Sequence, residues 1–108
     1  MDAHWNDVGS ADEFEPGCAV RALAGGVAIA VFNLDGSLFA TRDDCTHGSA
    51  SLSEGYVCGD EIECPMHMGR FHIPTGKALR APCVVDLQTF RVQVRDRRVL
   101  VCDAGSGE

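Results

Sequence analysis

Two cysteines and two histidines of this 108-residue chain have types and spacing that could bind metal. Cys45 and His47 form one motif, C-x-H, and Cys64 and His67 form a second, C-x-x-H, with sixteen residues between His47 and Cys64. Each motif supplies one soft thiolate and one imidazole, never two ligands of the same kind. This mixed pattern favours a pair of metal ions over a single ion, because each motif can contribute a ligand to both metals.

The two motifs follow segments with strand character and lie close to glycines. Gly48 directly follows the first motif, and Gly69 comes two residues after the second. Glycine lets the backbone approach a sulfide-bridged cluster closely enough for amide groups to hydrogen-bond to its sulfurs, and it permits positive φ angles. Pro65 stiffens the second loop. The sequence therefore predicts two ligand loops at adjacent hairpin tips, which clamp a metal cluster at one end of a β-scaffold.

The rest of the chain has the pattern of short strands separated by turns. Alternation of apolar and polar residues, with glycine-rich or Asp-Gly turns between segments, predicts these strands: 18–23, 27–34, 37–41, 61–63, 90–95 and 99–102. No window has the apolar stripe of an amphipathic helix, so helices should be short or absent. We predict an all-β fold in a single domain, residues 1–108.

Composition limits the functions that the chain could have. Hydrophobic residues make up 45% and charged residues 23%, which is typical of a folded domain. The net charge of −7 would repel phosphate backbones and anionic lipids, so we expect no nucleic-acid or membrane binding. An acidic surface suits a partner with a basic docking face, and six residues are candidates for steering it: Asp43, Asp44, Glu54, Asp60, Glu61 and Glu63.

The N-terminus has neither the basic start nor the apolar stretch of a signal peptide, and the longest apolar run, 27–32, is too short to cross a bilayer. We therefore expect a soluble, cytoplasmic protein, in which six cysteines favour metal ligation over disulfides. The four cysteines outside the motifs, Cys18, Cys58, Cys83 and Cys102, are predicted to be small buried thiols.

The motifs and their flanking residues resemble the Rieske-type ferredoxins of bacterial aromatic-ring-hydroxylating dioxygenase systems. The resemblance extends over nearly the whole chain and is most specific over residues 45–77, in these segments: Cys45-Thr46-His47-Gly48, Leu52-Ser53-Glu54-Gly55, Glu63-Cys64-Pro65-Met66-His67-Met68-Gly69-Arg70-Phe71 and Thr75-Gly76-Lys77-Ala78. It implies a Rieske fold, in which three antiparallel sheets form a base and a small two-loop cluster-binding subdomain, here about residues 42–80.

The resemblance also implies the cofactor and its ligands. The cofactor is one Rieske-type 2Fe–2S cluster, in which two cysteines hold one iron and two histidines hold the other. Carried over, Cys45 and Cys64 bind the inner iron, and His47 and His67 bind the outer iron and face outward.

By the same resemblance, the protein is a one-electron carrier and not itself an enzyme. It accepts electrons from an NAD(P)H-dependent flavoprotein ferredoxin reductase and passes them to the terminal oxygenase, which selects the aromatic substrate. Three residues beside His67, namely Pro65, Met66 and Met68, are predicted to form a small apolar docking patch. A shuttle of this size is expected to be a monomer.

The loops differ from those of high-potential Rieske proteins of respiratory chains. Those proteins carry an extra cysteine in each loop, joined as a disulfide, and Ser and Tyr hydroxyls near the cluster sulfurs. Here Ser49-Ala50 comes after Cys45-Thr46-His47-Gly48, and residues 68–71 follow the second motif, with no such cysteine or Ser–Tyr pair. Fewer hydrogen bonds stabilise the reduced cluster less, which predicts a midpoint near the low end of the Rieske range of about −150 to +300 mV.

Two other functions fit part of the pattern. A small Rieske-like subunit of a nitrite reductase would carry similar motifs and would copurify with a large sirohaem protein. A structural zinc module also uses two cysteines and two histidines, although zinc fingers usually group like ligands and this chain mixes them.

Three predictions concern residues outside the ligand set. His72 should be structural and not a metal ligand. Trp5, the only tryptophan, should anchor the first strand in the core. The basic residues after the second motif, Arg70, Lys77 and Arg80, should pair with the acidic segment before it.

Overall fold

The computed structural model describes residues 4–46, 50–66, 68–81, 83 and 85–102. Over these ranges the regular structure is mostly β, and the helical elements are two single 3-10 turns, Ala11–Glu13 and Leu52–Glu54. The prediction of an all-β chain with short helices is confirmed. In the described part of the chain, no helix is long and apolar enough to cross a membrane.

Eleven strands form in the described ranges: β1 Trp5–Ser10, β2 Ala19–Ala24, β3 Val27–Leu34, β4 Ser37–Arg42, β5 Tyr56–Cys58, β6 Glu61–Glu63, β7 Arg70–His72, β8 Ala78–Arg80, β9 Thr89–Phe90, β10 Val92–Arg95 and β11 Arg98–Cys102. They make three antiparallel sheets, with the orders β1-β11-β10, β2-β3-β4-β9 and β5-β6-β7-β8. This agrees with the three antiparallel sheets that the resemblance implied.

The long hairpins follow from local turn chemistry. In the β2–β3 hairpin Ala24 pairs with Val27, so the turn consists of Gly25 and Gly26, whose φ angles are 59° and 83°. Two successive positive φ angles are what a two-residue hairpin turn needs, and glycine adopts them without steric cost. The predicted hairpin is therefore confirmed, and its register aligns all of β2 with β3.

The prediction of one continuous strand over 90–95 is wrong. Thr89–Phe90 pairs with β4, whereas Val92–Arg95 pairs with β11 in a different sheet, so the chain changes partners at Arg91. Alternation of side chains reports which residues share a face, but it carries no information about which strand pairs with them. The sequence pattern therefore continues across a break in the pairing.

Strand β3 divides the interior into two apolar cores. Ala30 and Phe32 belong to the loop-side core, which consists of Ala30, Phe32, Cys45, Ala50, Leu52, Ile62, Cys64, Phe71, Ile73, Cys83 and Leu87. Ile29 and Val31 belong to the base core, which consists of Phe14, Ala24, Ile29, Val31, Ala40, Phe90, Val99 and Val101. Because successive side chains of a strand point to opposite faces, one strand can supply both cores.

Trp5 differs from the prediction. It is only half-buried in β1 and is not part of the base core. The guanidinium carbon of Arg91 lies 5.8 Å from the centroid of the Trp5 ring, in cation–π range. The tryptophan therefore covers the edge of the base near the strand change and does not anchor its interior.

Candidate metal centre

Two loops of equal length begin at the two motif cysteines. The Cys45 N–H donates to the Ala50 carbonyl at 3.0 Å, and the Cys64 N–H donates to the Gly69 carbonyl at 2.8 Å. Each cysteine therefore closes a loop with four residues between its paired ends. The first loop follows β4, and the second connects β6 to β7. The second loop is the tip of the β6–β7 hairpin, as expected, whereas the first joins strands of different sheets and is flanked by a single antiparallel bridge between Asp44 and Ser51.

Both motif cysteines are buried in the loop-side core. Cys45 is 3% exposed and Cys64 is fully buried. The predicted imidazole ligands, His47 and His67, lie outside the described residues, as does Gly48. The structure thus brings the two sulfur donors into one core, on the inner side of the two loops.

Asp43 ties the first loop to the base. Its N–H donates to the Ala28 carbonyl at 3.0 Å, and its carboxylate accepts from the Ser53 N–H at 2.9 Å. Its other carboxylate oxygen lies 3.5 Å from Nε of Arg21. Since Asp43 is 1% exposed, its predicted role as a surface steering residue is wrong, and its charge serves the loop instead.

Arg70 neutralises much of the acidic segment before the second motif. Its guanidinium donates to Glu63 at 2.9 Å and to Glu61 at 3.2 Å. These hydrogen bonds, to Glu61 first, raise the pKa of Arg70 above its ordinary value. The predicted pairing of Arg70 with this segment is confirmed. Arg70 therefore already pairs with two of the six proposed steering carboxylates, and Asp43 and Asp44 lie 3.5 Å from Arg21 and Arg42.

His72 makes contacts of a structural kind on β7. Its Nδ1 lies 2.8 Å from the Thr75 hydroxyl, and its Nε2 lies 3.1 Å from a carboxylate oxygen of Asp60. Both ring nitrogens therefore contact a side chain of the protein, one in the turn after β7 and the other directly before β6.

The second loop has a constrained backbone near its end. Met68 has φ of 59°, a left-handed conformation that bulky residues rarely adopt. Its N–H donates to the Cys64 carbonyl at 3.2 Å, which holds the turn closed. The result is an exposed methionine directly before the buried Gly69.

Two glycines permit close packing around the loops. A Cβ at Gly55, which precedes β5, would overlap the Glu63 carbonyl oxygen. A Cβ at Gly69 would overlap the sulfur of Cys83. Glycine is required at these two positions because neighbouring atoms lie too close for a Cβ, and not because the backbone has a positive φ angle.

Cys83 is a third buried cysteine at the site, and sequence reasoning missed its position. Its Sγ lies 3.8 Å from Sγ of Cys45, and the residue is 2% exposed. Burial raises the pKa of the Cys83 thiol to about 12, and its contact with Cys45 and the charges of Cys45 and Cys64 add to the rise. No pattern in the sequence links a cysteine this far from the motifs to the ligand loops.

The prediction of buried thiols is correct for Cys83 and Cys102 and wrong for Cys18 and Cys58, which are exposed. Cys18 precedes β2 in a loop, and Cys58 is the last residue of the edge strand β5, pointing outward like Tyr56. None of the six cysteines, all of which lie in the described ranges, forms a disulfide.

The donor set fits a mixed centre. Two buried thiols from two loops suit the sulfur side of an iron pair, since thiolate is a soft ligand and the apolar surroundings exclude water. Within the described ranges, no three His, Cys, Asp or Glu side chains are grouped so that they could hold a metal ion.

Apolar side chains are exposed around the loops. Met66 is 68% exposed and Met68 65%, whereas Pro65 is half-buried. Val85 is also exposed, and its carbonyl accepts a 2.7 Å hydrogen bond from the Thr46 hydroxyl, which brings it next to the first loop. These three exposed residues, Met66, Met68 and Val85, are called the apolar rim below.

Comparison with known proteins identifies the family. The Rieske 2Fe–2S domain matches residues 4–91 of this chain. The chain belongs to the Rieske family. Its cofactor is accordingly a Rieske-type 2Fe–2S cluster, and the zinc module is set aside.

Relatives with near-complete coverage are named as ferredoxin components. The ferredoxin component of the naphthalene 1,2-dioxygenase/salicylate 5-hydroxylase systems of a Ralstonia species is 40% identical, over 94% of this chain and 97% of the relative. The biphenyl dioxygenase ferredoxin subunit of Pseudomonas sp. strain KKS102 is 45% identical over 85% of each chain. Proteins with such names are electron carriers rather than catalysts.

Solved structures agree with the fold. A chain from the complex of reduced oxygenase and oxidised ferredoxin of carbazole 1,9a-dioxygenase superposes with a TM-score of 0.89 at 41% identity, covering 96% of this chain and 97% of that one. A putative NADH-dependent nitrite reductase small subunit from Mycobacterium tuberculosis has a TM-score of 0.87 at 24% identity, over 98% of this chain and 100% of that chain. The second likeness shows a shared fold alone.

Proposed function

We propose that this chain is the ferredoxin component of an aromatic-ring dioxygenase system, carrying single electrons to a terminal oxygenase. The observation that carries the proposal is a pair of buried sulfur donors, Cys45 and Cys64, at the bases of two matched loops in a Rieske chain. The ferredoxin relatives, matched almost end to end, support the pathway.

In this proposal Cys45 and Cys64 bind the inner iron, and His47 and His67 bind the outer iron. The bound cluster supplies a reversible one-electron couple. The protein holds the sulfur side of the site in the loop-side core, where water is excluded, and leaves the histidine side for contact with a partner. The residues from about 42 to 80 form the cluster-binding subdomain in this proposal.

The apolar rim is the proposed docking surface for the terminal oxygenase. Exposed methionines adapt to different partners, and small apolar patches suit the brief encounters of redox proteins. A complex of ferredoxin with oxygenase is known for the carbazole system, whose ferredoxin shares this fold. The remaining partner is a flavoprotein reductase that uses NAD(P)H. We further propose that the protein acts in the cytoplasm as a monomer, so that the same end can meet each partner in turn.

Electron paramagnetic resonance of the dithionite-reduced protein tests the ligand assignment. Mixed imidazole and thiolate ligation should give a lower average g-value than an all-cysteine cluster gives. His47→Ala and His67→Ala should each lose colour and bound iron. His72→Ala is the matched control, because His72 bonds to Thr75 and Asp60 and should leave the spectrum unchanged. Unchanged colour and iron content in either loop variant would contradict the assignment.

A reconstituted system tests the pathway. Purified protein, a flavoprotein reductase with NADH and a terminal oxygenase should oxidise an aromatic substrate only when all three are present. Copurification from the native cell with a large sirohaem protein, and no electron delivery to an oxygenase, would contradict the proposal.

A further inference from the structure

Cys83 contacts a proposed ligand although it belongs to neither motif. Its Sγ lies 3.8 Å from that of Cys45, within the range of a hydrogen bond between sulfurs, across 38 positions of sequence. Both side chains are buried, at 2% and 3% exposure. The Cys83 N–H donates to the Arg80 carbonyl at 3.1 Å, which fixes the backbone from which the thiol projects.

The end of the second loop makes room for this thiol. Gly69 is buried, and a Cβ there would overlap the Cys83 sulfur and come within 3.1 Å of the Arg80 carbonyl oxygen. The absence of a side chain at Gly69 therefore creates the space that Cys83 fills. Cys45, Gly69 and Cys83 pack as one unit, which links both ligand loops to the segment after β8.

The chemistry of the two sulfurs sets the direction of the hydrogen bond. By geometry either sulfur could donate. A cysteine bound to iron has lost its proton, so Cys45 can only accept. With Cys45 restricted to accepting, the 3.8 Å contact assigns the donor role to the Cys83 thiol. Cys83 belongs to neither motif, and the proposed ligand set is already complete with Cys45, His47, Cys64 and His67.

We propose that Cys83 is a positioning residue that tunes the cluster: its thiol donates a hydrogen bond to Sγ of Cys45 and raises the midpoint potential. A donor aimed at a ligand sulfur stabilises the more negative, reduced form more than the oxidised form. The inference rests on the proposed function, because it takes Cys45 as an iron ligand.

Anaerobic redox titration of Cys83→Ala and Cys83→Ser tests the proposal. Removing the donor should lower the equilibrium constant for reduction by about fivefold. Serine, a stronger donor, should leave it at or above the wild-type value. Cys102→Ala is the matched control, because Cys102 is also a fully buried thiol but lies in β11 of the base, and it should change nothing.

Infrared difference spectra of the wild-type protein, reduced minus oxidised, give an independent measurement. A hydrogen-bonded thiol band should move to lower frequency on reduction, as the accepting sulfur gains negative charge. No shifting thiol band, or a Cys83→Ala midpoint equal to wild type, overturns the inference. So does loss of the cluster from both Cys83 variants, since that would make Cys83 a ligand.

Resonance and redox measurements separate the role of Cys83 from the cluster itself. If the wild-type resonance spectrum lacks the signature of mixed ligation, the proposed function fails. If that signature is intact while Cys83→Ala titrates like wild type, only the role of Cys83 fails.

Discussion

The sheet of the loop side and the sheets of the base are built from strands of different length. Each strand of the β5–β8 sheet has three residues, whereas the strands of the base sheets, apart from the two-residue β9, have four to eight. Three-residue strands make few ladder hydrogen bonds, and small sheets of this kind depend on packing for their stability. The loop side therefore relies more on its core and its loop contacts than the base does.

The two cores differ in chemistry as well. The base core contains only hydrocarbon side chains, and the loop-side core includes Cys45, Cys64 and Cys83. The base core is thus packed from hydrocarbon side chains alone, whereas the loop-side core also contains thiols, two of which belong to the motifs. The comparison teaches that the binding region is supported by its neighbour, through the alternating side chains of β3.

The largest expected effect is a loss of stability when either of two matched isoleucines is replaced by alanine. Ile29 and Ile62 are both fully buried, Ile29 in the base core and Ile62 in the loop-side core two residues before Cys64. Truncating either to alanine should lower the free energy of unfolding by about 2–5 kcal/mol, because each leaves a cavity. Only Ile62→Ala should also speed release of iron to a chelator.

Urea unfolding followed by circular dichroism and by visible absorbance measures both quantities. Equal rates of iron release from the two variants would contradict the division into two cores.

Two arginines offer a smaller, electrostatic comparison. Arg70 pairs with Glu61 and Glu63 on the loop side, and Arg98 pairs with Asp7 in the base. Arg70→Gln and Arg98→Gln change the net charge equally. Only the first uncovers carboxylates near the loops, so it should raise the rate of electron transfer from a basic partner by about twofold to threefold at low salt.

Stopped-flow reduction by the flavoprotein reductase, at several ionic strengths, checks this prediction. If both arginine variants change the rate alike, net charge alone matters. If neither responds to salt, the partner is not steered by this surface.

The smallest effect concerns pH and the exposed Asp7–Arg98 pair. The hydrogen bond from Arg98 lowers the pKa of Asp7 below its ordinary value. Because the folded pKa is depressed, the pair stabilises the fold above the unfolded pKa and loses this contribution as pH falls through the folded value. Asp7→Asn should therefore lower Tm slightly at pH 7, and the difference from wild type should vanish in acid.

Thermal melting of the wild type and Asp7→Asn, from neutral pH to below the folded pKa of Asp7, measures this difference. A Tm difference that grows in acid would contradict the assigned sign.

Features set by nearby residues could be predicted. The turn of Gly25 and Gly26 requires positive φ angles that glycine supplies, so the β2–β3 hairpin follows from four or five residues. The second loop follows in a similar way, because it connects two strands, β6 and β7, that are adjacent in the chain and pair with each other.

Features that depend on distant residues could not be predicted. The partner change at Arg91 leaves the alternating pattern intact, and the burial of Asp43 depends on Ala28 and Ser53 closing around it. A carboxylate in an acidic stretch gives the same sequence signal whether it faces solvent or a loop backbone.

By itself, the sequence determined which metal-binding side chains are present and how far apart they lie in the chain. Both follow directly from residue type and from the number of residues between them. Only the tertiary structure decided that Cys83 lies against Cys45 while Cys18 and Cys58 face solvent. The reason is physical: which thiols are buried depends on packing between segments far apart in the chain, and packing has no local sequence signature.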